Sequence, residues 1–480
     1  MNQSDSERVR TVLEAMGYQW TDDEQEADLL GILACSVRQK SIDKVYSRIH
    51  KWNIWKNRRN LITFISGCIL PADKEKLLKQ FDLIFEISEL IHFDDMLSQY
   101  GVVTPVSYRF REYAPDKVIE DGKVKNGLNN LTSSMKDNDN YSLKPLLQRP
   151  EEKIKNLWQV NPTYHSSFEA FIPIQNGCDK FCTFCAVPYT RGREISRPSG
   201  DIMDELKELV SNGYKSITLL GQNVNSYGLD KKGHEIAFPA LINKIGEFGR
   251  ASGKDFWVYF TSPHPRDMTD EVIEIISHHD CLAKQIHLPL QSGDDEVLAK
   301  MNRKHSAGDY RTIIHSIRKL LPQATVFTDI IVGFPGETDE QFENTRQAMK
   351  EFRFNMAYIA KYSSRPGAAS SRWSDDVPDD TKSRRLHILT DELTQHTLEY
   401  NKKLIGKKLK VLVTGKDRKE GFLSALTEGK IVLRFKSDDE SLAGRFAEVA
   451  IESATEFALE ARFEKELIAE RTSYEKKSSI

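Results

Sequence analysis

Between residues 170 and 360 the chain repeats one pattern six times, a short apolar run followed by a stretch long enough for a helix. The runs are AFIPIQ (170–175), KSITLL (215–220), FWVYF (256–260), KQIHLPL (284–290), TVFTDIIVGF (325–334) and NMAYIA (355–360). Strands covered on both faces read as near-continuous apolar runs, and joining parallel strands takes a crossover of helix length. Six such units, assigned to 166–398, predict a parallel (β/α)6-type barrel, complete or open, with its site at the C-terminal ends of the strands.

Ahead of it, ADLLGILAC (27–35), LITFISGC (61–68) and LIFEI (83–87) read as buried strands. Helices are expected at 5–16, 36–50, 72–79 and 90–99, with Pro71 placed to open the third. That is an α/β pattern, and residues 1–112 are assigned to a small doubly wound parallel sheet. Residues 113–165 are rich in Asn, Ser, Asp and Lys without a sustained period, which predicts a linker. Beyond Asn401, KKLKVLVTG, GKIVLRF and FAEVAIESAT with glycine-containing turns predict a small all-β barrel over 401–463. A charged, fraying helical tail is expected over 464–480.

Composition excludes several classes. At 39% hydrophobic and 29% charged, with a net charge of −3, the chain is neither disordered nor globally basic. No apolar run reaches the ~18 residues of a membrane span, and the start MNQSDSERVR lacks the layout of a signal peptide, so a cytoplasmic protein is expected.

The six cysteines (35, 68, 178, 182, 185 and 281) are too few for a disulfide scaffold. Three lie in GCDKFCTFC, directly after the first barrel strand. Cys178, Cys182 and Cys185, spaced CxxxCxxC, can converge on one soft metal or iron-sulfur cluster because gaps of two or three residues let the backbone curl around a centre. With three local ligands, a [4Fe-4S] cluster keeps one iron open, much as a catalytic zinc keeps a vacant position. The alternatives are a structural zinc completed by a distant histidine, and thiols packed as small hydrophobes. Cys281, behind His278, His279 and Asp280, reads as a packed thiol.

The words GCDKFCTFCAVPYTRGREISRP (177–198), LLGQNVNSYG (219–228), HLPLQSGDDEVLAKMNRKH (287–305) and DIIVGFPGETDEQF (329–342) closely resemble the radical S-adenosylmethionine methylthiotransferases, and the resemblance runs over nearly the whole chain. AVPYTRG with LLGQNVN resembles the tRNA branch, which installs a 2-methylthio group on N6-isopentenyladenosine beside the anticodon. The resemblance implies that Cys178, Cys182 and Cys185 hold a [4Fe-4S] cluster whose open iron binds S-adenosylmethionine. It places Gly333 and Glu337, in VGFPGE, and Gln291 and Ser292 near that cofactor; loop geometry and capping are the competing reading. Arg191 and Arg193 would meet the cofactor carboxylate or a phosphate, or form structural ion pairs. It further implies a tRNA anticodon stem-loop as substrate, an electron donor such as flavodoxin or ferredoxin, no membrane partner, and a monomer.

Cys35 and Cys68 each end an expected strand, so both emerge at one sheet edge, where on composition alone packed thiols are at least as well supported as ligands. In the family, segments like ADLLGILACSVR and FISGC help bind a second [4Fe-4S] cluster through three cysteines. The third belongs to a Cys-Gln-Met-Asn word ahead of DSE; with DSE at Asp5, Ser6 and Glu7, it would fall two residues before Met1. An upstream start or a truncated sequence is expected to account for this. The alternatives are a methylthiotransferase of another target and a non-catalytic or sulfur-transfer-deficient RNA-binding paralogue.

Residues 402–436 carry eleven Lys/Arg against three acids, a net +8 that draws backbone phosphates. The placement resembles the RNA-binding TRAM barrel, with Lys407, Lys408, Lys410, Lys416, Arg418 and Lys419 as candidate contacts. A second run, Arg38 to Arg59, has eight Lys/Arg and includes Trp52 and Trp55. They would stack on bases or form the apolar side of an amphipathic helix.

Overall fold

The computed structural model describes residues 1–35, 39–100 and 150–467; the expected tail beyond 467 and most of the expected linker lie outside them. Two compact units divide the chain, one of residues 2–69 and 73–163, the other chiefly 164–480.

In the first unit β1 (Leu29–Cys35), β2 (Ile62–Cys68) and β3 (Leu83–Ile84) pair in parallel in the order β1-β2-β3. Side chains alternate between faces along a strand. Phe64 joins Val9, Val12 and Phe93 in one apolar cluster, whereas Ile65 joins Ile42, Val45, Ile49 and Trp52 in another. Helices therefore cover both faces, as the α/β reading requires. Pro71 opens the helix Pro71–Leu78 as expected. Trp52, only 2% exposed, is core, which decides for the amphipathic-helix reading of the Arg38 to Arg59 run. The expected linker contains a helix, Pro150–Gln159, whose Leu157 packs into the first cluster. Its ten residues carry Ile154, Leu157 and Trp158 at helical spacing, too short a signal beside so polar a neighbourhood.

The second unit contains the six expected parallel strands: β4 (Glu169–Pro173), β7 (Ser216–Leu220), β8 (Trp257–Phe260), β9 (Gln285–His287), β10 (Thr325–Val332) and β11 (Met356–Lys361). They form the sheets β4-β7-β8 and β9-β10-β11, joined by a parallel bridge between Val258 and Leu282. Among the described residues no pairing joins β11 to β4, so the barrel is open. Two short strands, β5 (Gln175–Asn176) and β6 (Ile195–Ser196), pair antiparallel and frame the cysteine loop.

β12 (Lys408–Lys416), β13 (Phe422–Thr427), β14 (Val432–Lys436), β15 (Phe446–Ala454) and β16 (Leu459–Glu466) close a second, all-β barrel. Its core is Val411, Val413, Leu423, Phe435 and Val449. This barrel docks on the N-terminal ends of the parallel strands. Trp257, Tyr259 and Ala283 share a cluster with Leu412 and Phe446, and the Trp257 and Phe446 rings meet edge-on at 4.6 Å. The Lys284 amide donates to Glu428 Oε1 (3.0 Å), and Thr325 Oγ1 donates to the Gly429 carbonyl (2.8 Å). The opposite, C-terminal ends of the strands are left for a site.

Candidate functional site

At the end of β5, Gly177 has φ +82, and a Cβ there would lie 2.0 Å from the Arg193 carbonyl oxygen, so only glycine turns the chain here. The Gly177 amide donates to Gln222 Oε1 (2.6 Å), and the Cys178 amide to the Gly192 carbonyl (3.2 Å). Farther along, Phe181 is left-handed (φ 49) and is held by Asn302, whose Nδ2 donates to the carbonyls of Lys180 (3.2 Å) and Phe181 (2.9 Å). Thr183 donates from its amide to Met301 and from its hydroxyl to Lys300. The Cys185 amide closes a turn on the Cys182 carbonyl at 3.0 Å. The cysteine loop is thus wound tightly and pinned from the segment after β9.

Burial pushes the Cys178 thiol up to about 11 and Cys185 to about 12, and the neighbouring cysteines raise each further. Two thiols that resist ionising suit a cationic centre that replaces their protons. A fixed cation is already present: Arg303 Nη1 lies 3.5 Å from Cys182 Sγ. Among the described residues no three His, Cys, Asp or Glu side chains are placed to hold a metal ion. Thiols spread along a loop fit a cluster, whose ligands are shared among several irons.

Buried polar atoms ring the same strand ends. The Gln175 side-chain amide, Asn223 Oδ1 and His264 Nε2 have no hydrogen-bond partner among the described residues. Leaving such atoms unmet costs about 1–3 kcal/mol each, so a polar ligand is favoured there. His264 is pushed down to about 2, first by burial and then by Arg303, His305, Lys180 and Arg266, and stays neutral. Lys180 pairs with Asp267 (2.5 Å), tying the cysteine loop to the segment after β8. Buried Glu194 accepts from Ser226 Oγ (2.7 Å) and is raised by burial to about 7. None of Arg303, His264, Gln175 or Glu194 stands out in sequence, because each becomes informative only through its neighbours in space.

Glu337 takes the loop-bracing role. It is buried, accepts from the Gly333 amide (2.6 Å) and pairs with Arg385 Nη1 (2.7 Å). Gly333 has φ +70, and a Cβ there would strike Lys382 Cγ at 2.2 Å, so its glycine serves the turn as well. Ser292 meets Thr345 Oγ1 (3.1 Å) and caps the Asp294 amide (3.2 Å). Gln291, left-handed at φ 74, is fixed by backbone bonds to Asp329 and Ile331. Arg193 pairs with Asp179 (2.8 Å), the structural alternative, and Arg191 Nη1 reaches Asn176 Oδ1 (3.4 Å). Cys281 is half-buried, with Sγ 3.8 Å from the Ile245 carbonyl, as a packed thiol should be.

In the first unit Cys35 and Cys68 are register partners at the ends of β1 and β2. Asn2 stands beside them; its Nδ2 donates to the Leu33 and Ala34 carbonyls (3.1 and 2.8 Å), and Cys68 Sγ is 3.9 Å from its Oδ1.

The small barrel is less basic than residues 402–436 alone. Over 402–466 there are fourteen Lys/Arg and twelve Asp/Glu. Lys408 pairs with Glu464 (2.8 Å), Lys416 with Glu440 (2.7 Å) and Lys419 with Glu460 (3.3 Å). Lys410 pairs with Asp255 and lies over the Phe446 ring at 4.2 Å, so it belongs to the docking interface. Of the six candidate contacts, Lys407 and Arg418 have no ion-pair partner among the described residues, so their charges are the ones not already engaged within the protein.

Residues 172–349 match the radical SAM superfamily, 402–463 the TRAM domain, and 1–86 a family described as "Uncharacterized protein family UPF0004". A tRNA-2-methylthio-N(6)-dimethylallyladenosine synthase of Sodalis glossinidius is 33% identical over 458 residues, 94% of this chain and 87% of that protein. One of Clostridium botulinum (strain Okra / Type B1) is 35% identical over 462 residues, 96% and 94% respectively. A solved radical S-adenosylmethionine methyltransferase of Kitasatospora setae is 13% identical, with 92% of this chain and 80% of that one covered and a TM-score of 0.49. With a third of its residues shared over almost its full length, the chain belongs to the family of the tRNA-2-methylthio-N(6)-dimethylallyladenosine synthases.

Proposed function

We propose that this protein converts N6-isopentenyladenosine, on the 3′ side of the anticodon in tRNA, to its 2-methylthio derivative. The observation that carries the reading is the pinned CxxxCxxC loop at the C-terminal mouth of an open six-stranded parallel barrel, within a chain of this family.

Cys178, Cys182 and Cys185 would hold a [4Fe-4S] cluster, and Cys35 with Cys68 would supply ligands to a second. When bound, the barrel cluster and S-adenosylmethionine supply one-electron chemistry that breaks the adenine C2–H bond, which has no acid-base route at neutral pH. The protein's part is placement. Gly177, Gln222 and Asn302 fix the loop, so the thiols are set before anything binds. Gln175, Asn223 and His264 offer buried polar atoms to a polar ligand, and neutral His264 adds no charge there. Gln291 and Glu337 are the family positions kept as cofactor neighbours, since Ser292 is engaged by its own loop whereas Glu337 Oε1 is buried without a hydrogen-bond partner among the described residues. Lys407 and Arg418 would attract the RNA backbone, which positions the substrate without reading its sequence. Turning one base out of an unpaired loop costs little.

The test is a nucleoside digest of tRNA from a strain lacking the native enzyme and carrying this gene. Appearance of 2-methylthio-N6-isopentenyladenosine, and its absence with Cys178→Ala, is the expected result. N6-isopentenyladenosine left unchanged by the intact gene would overturn the assignment.

A further inference from the structure

We propose that Arg303 is a positioning residue whose fixed charge, held against Cys182, favours the reduced state of the barrel cluster. This rests on the reading above that Cys182 is a cluster ligand.

The segment after the helix Asp295–Lys300 returns to the cysteine loop, and the Arg303 amide donates to the Leu298 carbonyl (2.9 Å). Its side chain is buried at 7% exposure, with Nη1 3.5 Å from Cys182 Sγ and Nη2 3.0 Å from the Pro289 carbonyl. No carboxylate lies within ion-pair distance of it among the described residues, and its Nε is buried without a partner. A guanidinium is a permanent cation, and one enclosed without an anion is costly. Here the anionic group offered to it is the sulfur of a proposed ligand. The two histidines nearby bring no negative charge: the His264 and His305 rings stand 5.6 Å apart in the same region. Reduction adds one negative charge to the cluster, and a hydrogen-bonded cation at a ligand sulfur stabilises that added charge. Two backbone-fixed ends, Leu298 and Pro289, keep the charge in place as the oxidation state changes. Lysine at this position would carry the charge on a shorter, unforked stem and would set it farther from sulfur.

The full chain carrying Cys35→Ser and Cys68→Ser, reconstituted without oxygen, lets the barrel cluster be titrated alone. In the titration one electron passes from the reductant to the cluster, from its 2+ to its 1+ state, with no bond or proton exchanged. Arg303→Gln should lower the ratio of reduced to oxidised cluster about tenfold at a fixed potential, about 59 mV for one electron, read by the reduced cluster's paramagnetic signal. Arg303→Lys should fall between Arg303→Gln and the parent. Parental potential in Arg303→Gln, at full iron and sulfide content, overturns the proposal; so does Arg303→Lys falling as far as Arg303→Gln. If Arg303→Gln does not retain its iron, Arg303→Lys decides: a potential below the parent supports the proposal, and an unchanged one overturns it. A parent chain that binds no iron or sulfide would instead sink the cluster reading itself, so the two failures are told apart.

Discussion

Glu337 tests whether the VGFPGE turn is braced from within or shaped around a cofactor. Its carboxylate is 1% exposed and its partner Arg385 3%, so Glu337→Ala strands a buried guanidinium and removes the acceptor for the Gly333 amide. Breaking a buried pair from one side costs about 3–5 kcal/mol. Asp339, also 2.9 Å from Arg385, offsets little because its side chain is 77% exposed and screened by solvent. The whole of that range therefore stands, and at about 2–4 °C per kcal/mol the melting point should drop by about 6–20 °C. Burial raises the Glu337 carboxyl against the pull of the Gly333 amide and Arg385, so the charge itself is only partly favoured. Glu337→Gln keeps an acceptor for both partners and should lose less than half as much. Thermal unfolding of the metal-free variants gives these numbers, and calorimetric binding of S-adenosylmethionine to reconstituted protein, at a temperature where all are folded, gives the affinity. A Glu337→Ala protein that melts like the parent but binds the cofactor more than tenfold more weakly would refute the bracing argument.

Glu194 is raised by burial to about 7 from an ordinary 4.5, so its contribution to stability is complete below pH 4.5 and lost as pH rises through 7. Glu194→Gln should flatten the pH dependence of metal-free protein between those values by about 3 kcal/mol at most, measured by denaturant unfolding. If the slope is unchanged, the buried carboxyl has been misread. Removing Lys407 and Arg418 together should weaken tRNA binding and make the salt dependence shallower by about 1–2 in log-log slope. Lys410→Ala, by contrast, should leave that slope alone and loosen the docked barrel, since its charge is taken by Asp255; equal slopes for both variants would count against this division. Cys35→Ser with Cys68→Ser should reduce iron by about four per chain if the first unit holds its own cluster, and an unchanged iron content speaks against ligation there.

The six parallel strands were legible because burial on both faces leaves unbroken apolar runs, and the observed ends differ from those runs by at most three residues, at the C-terminal end of the shortened β9. The cysteine loop was legible because its three ligand candidates are neighbours in sequence. β13 and β16 were harder: FLSALT interleaves small polar residues, although it alternates in burial once paired, and LEARFEKE is charged at five of its eight positions, with only Leu459 and Ala461 buried. The charge of the small barrel was only partly legible. A run of lysines was counted with the acids inside it, but a barrel brings distant strands together, and Glu460 and Glu464 return on β16 to face the lysines of β12 and the following turn. Arg303 was invisible for the opposite reason: one arginine among 68 basic residues acquires meaning only when the fold buries it against a particular sulfur.

A parallel barrel has two unlike ends, and this chain uses them for different tasks. Trp257, Lys284 and Thr325 stand at or just before the starts of their strands and receive the small barrel, whereas Cys178 follows the end of its strand. At about 3.3 Å per residue, even a five-residue strand such as β4 separates the two ends by about 17 Å. Cations on the small barrel near that docking end therefore cannot touch the reacting base while it sits at the mouth. Their effect on RNA must be to hold it, in the ground state and the transition state alike. Contacts of that kind alter substrate affinity and leave the chemical step unchanged, so under the proposed function the groups that govern the rate would lie at the opposite rim, where Gln175, Asn223, His264 and Arg303 stand.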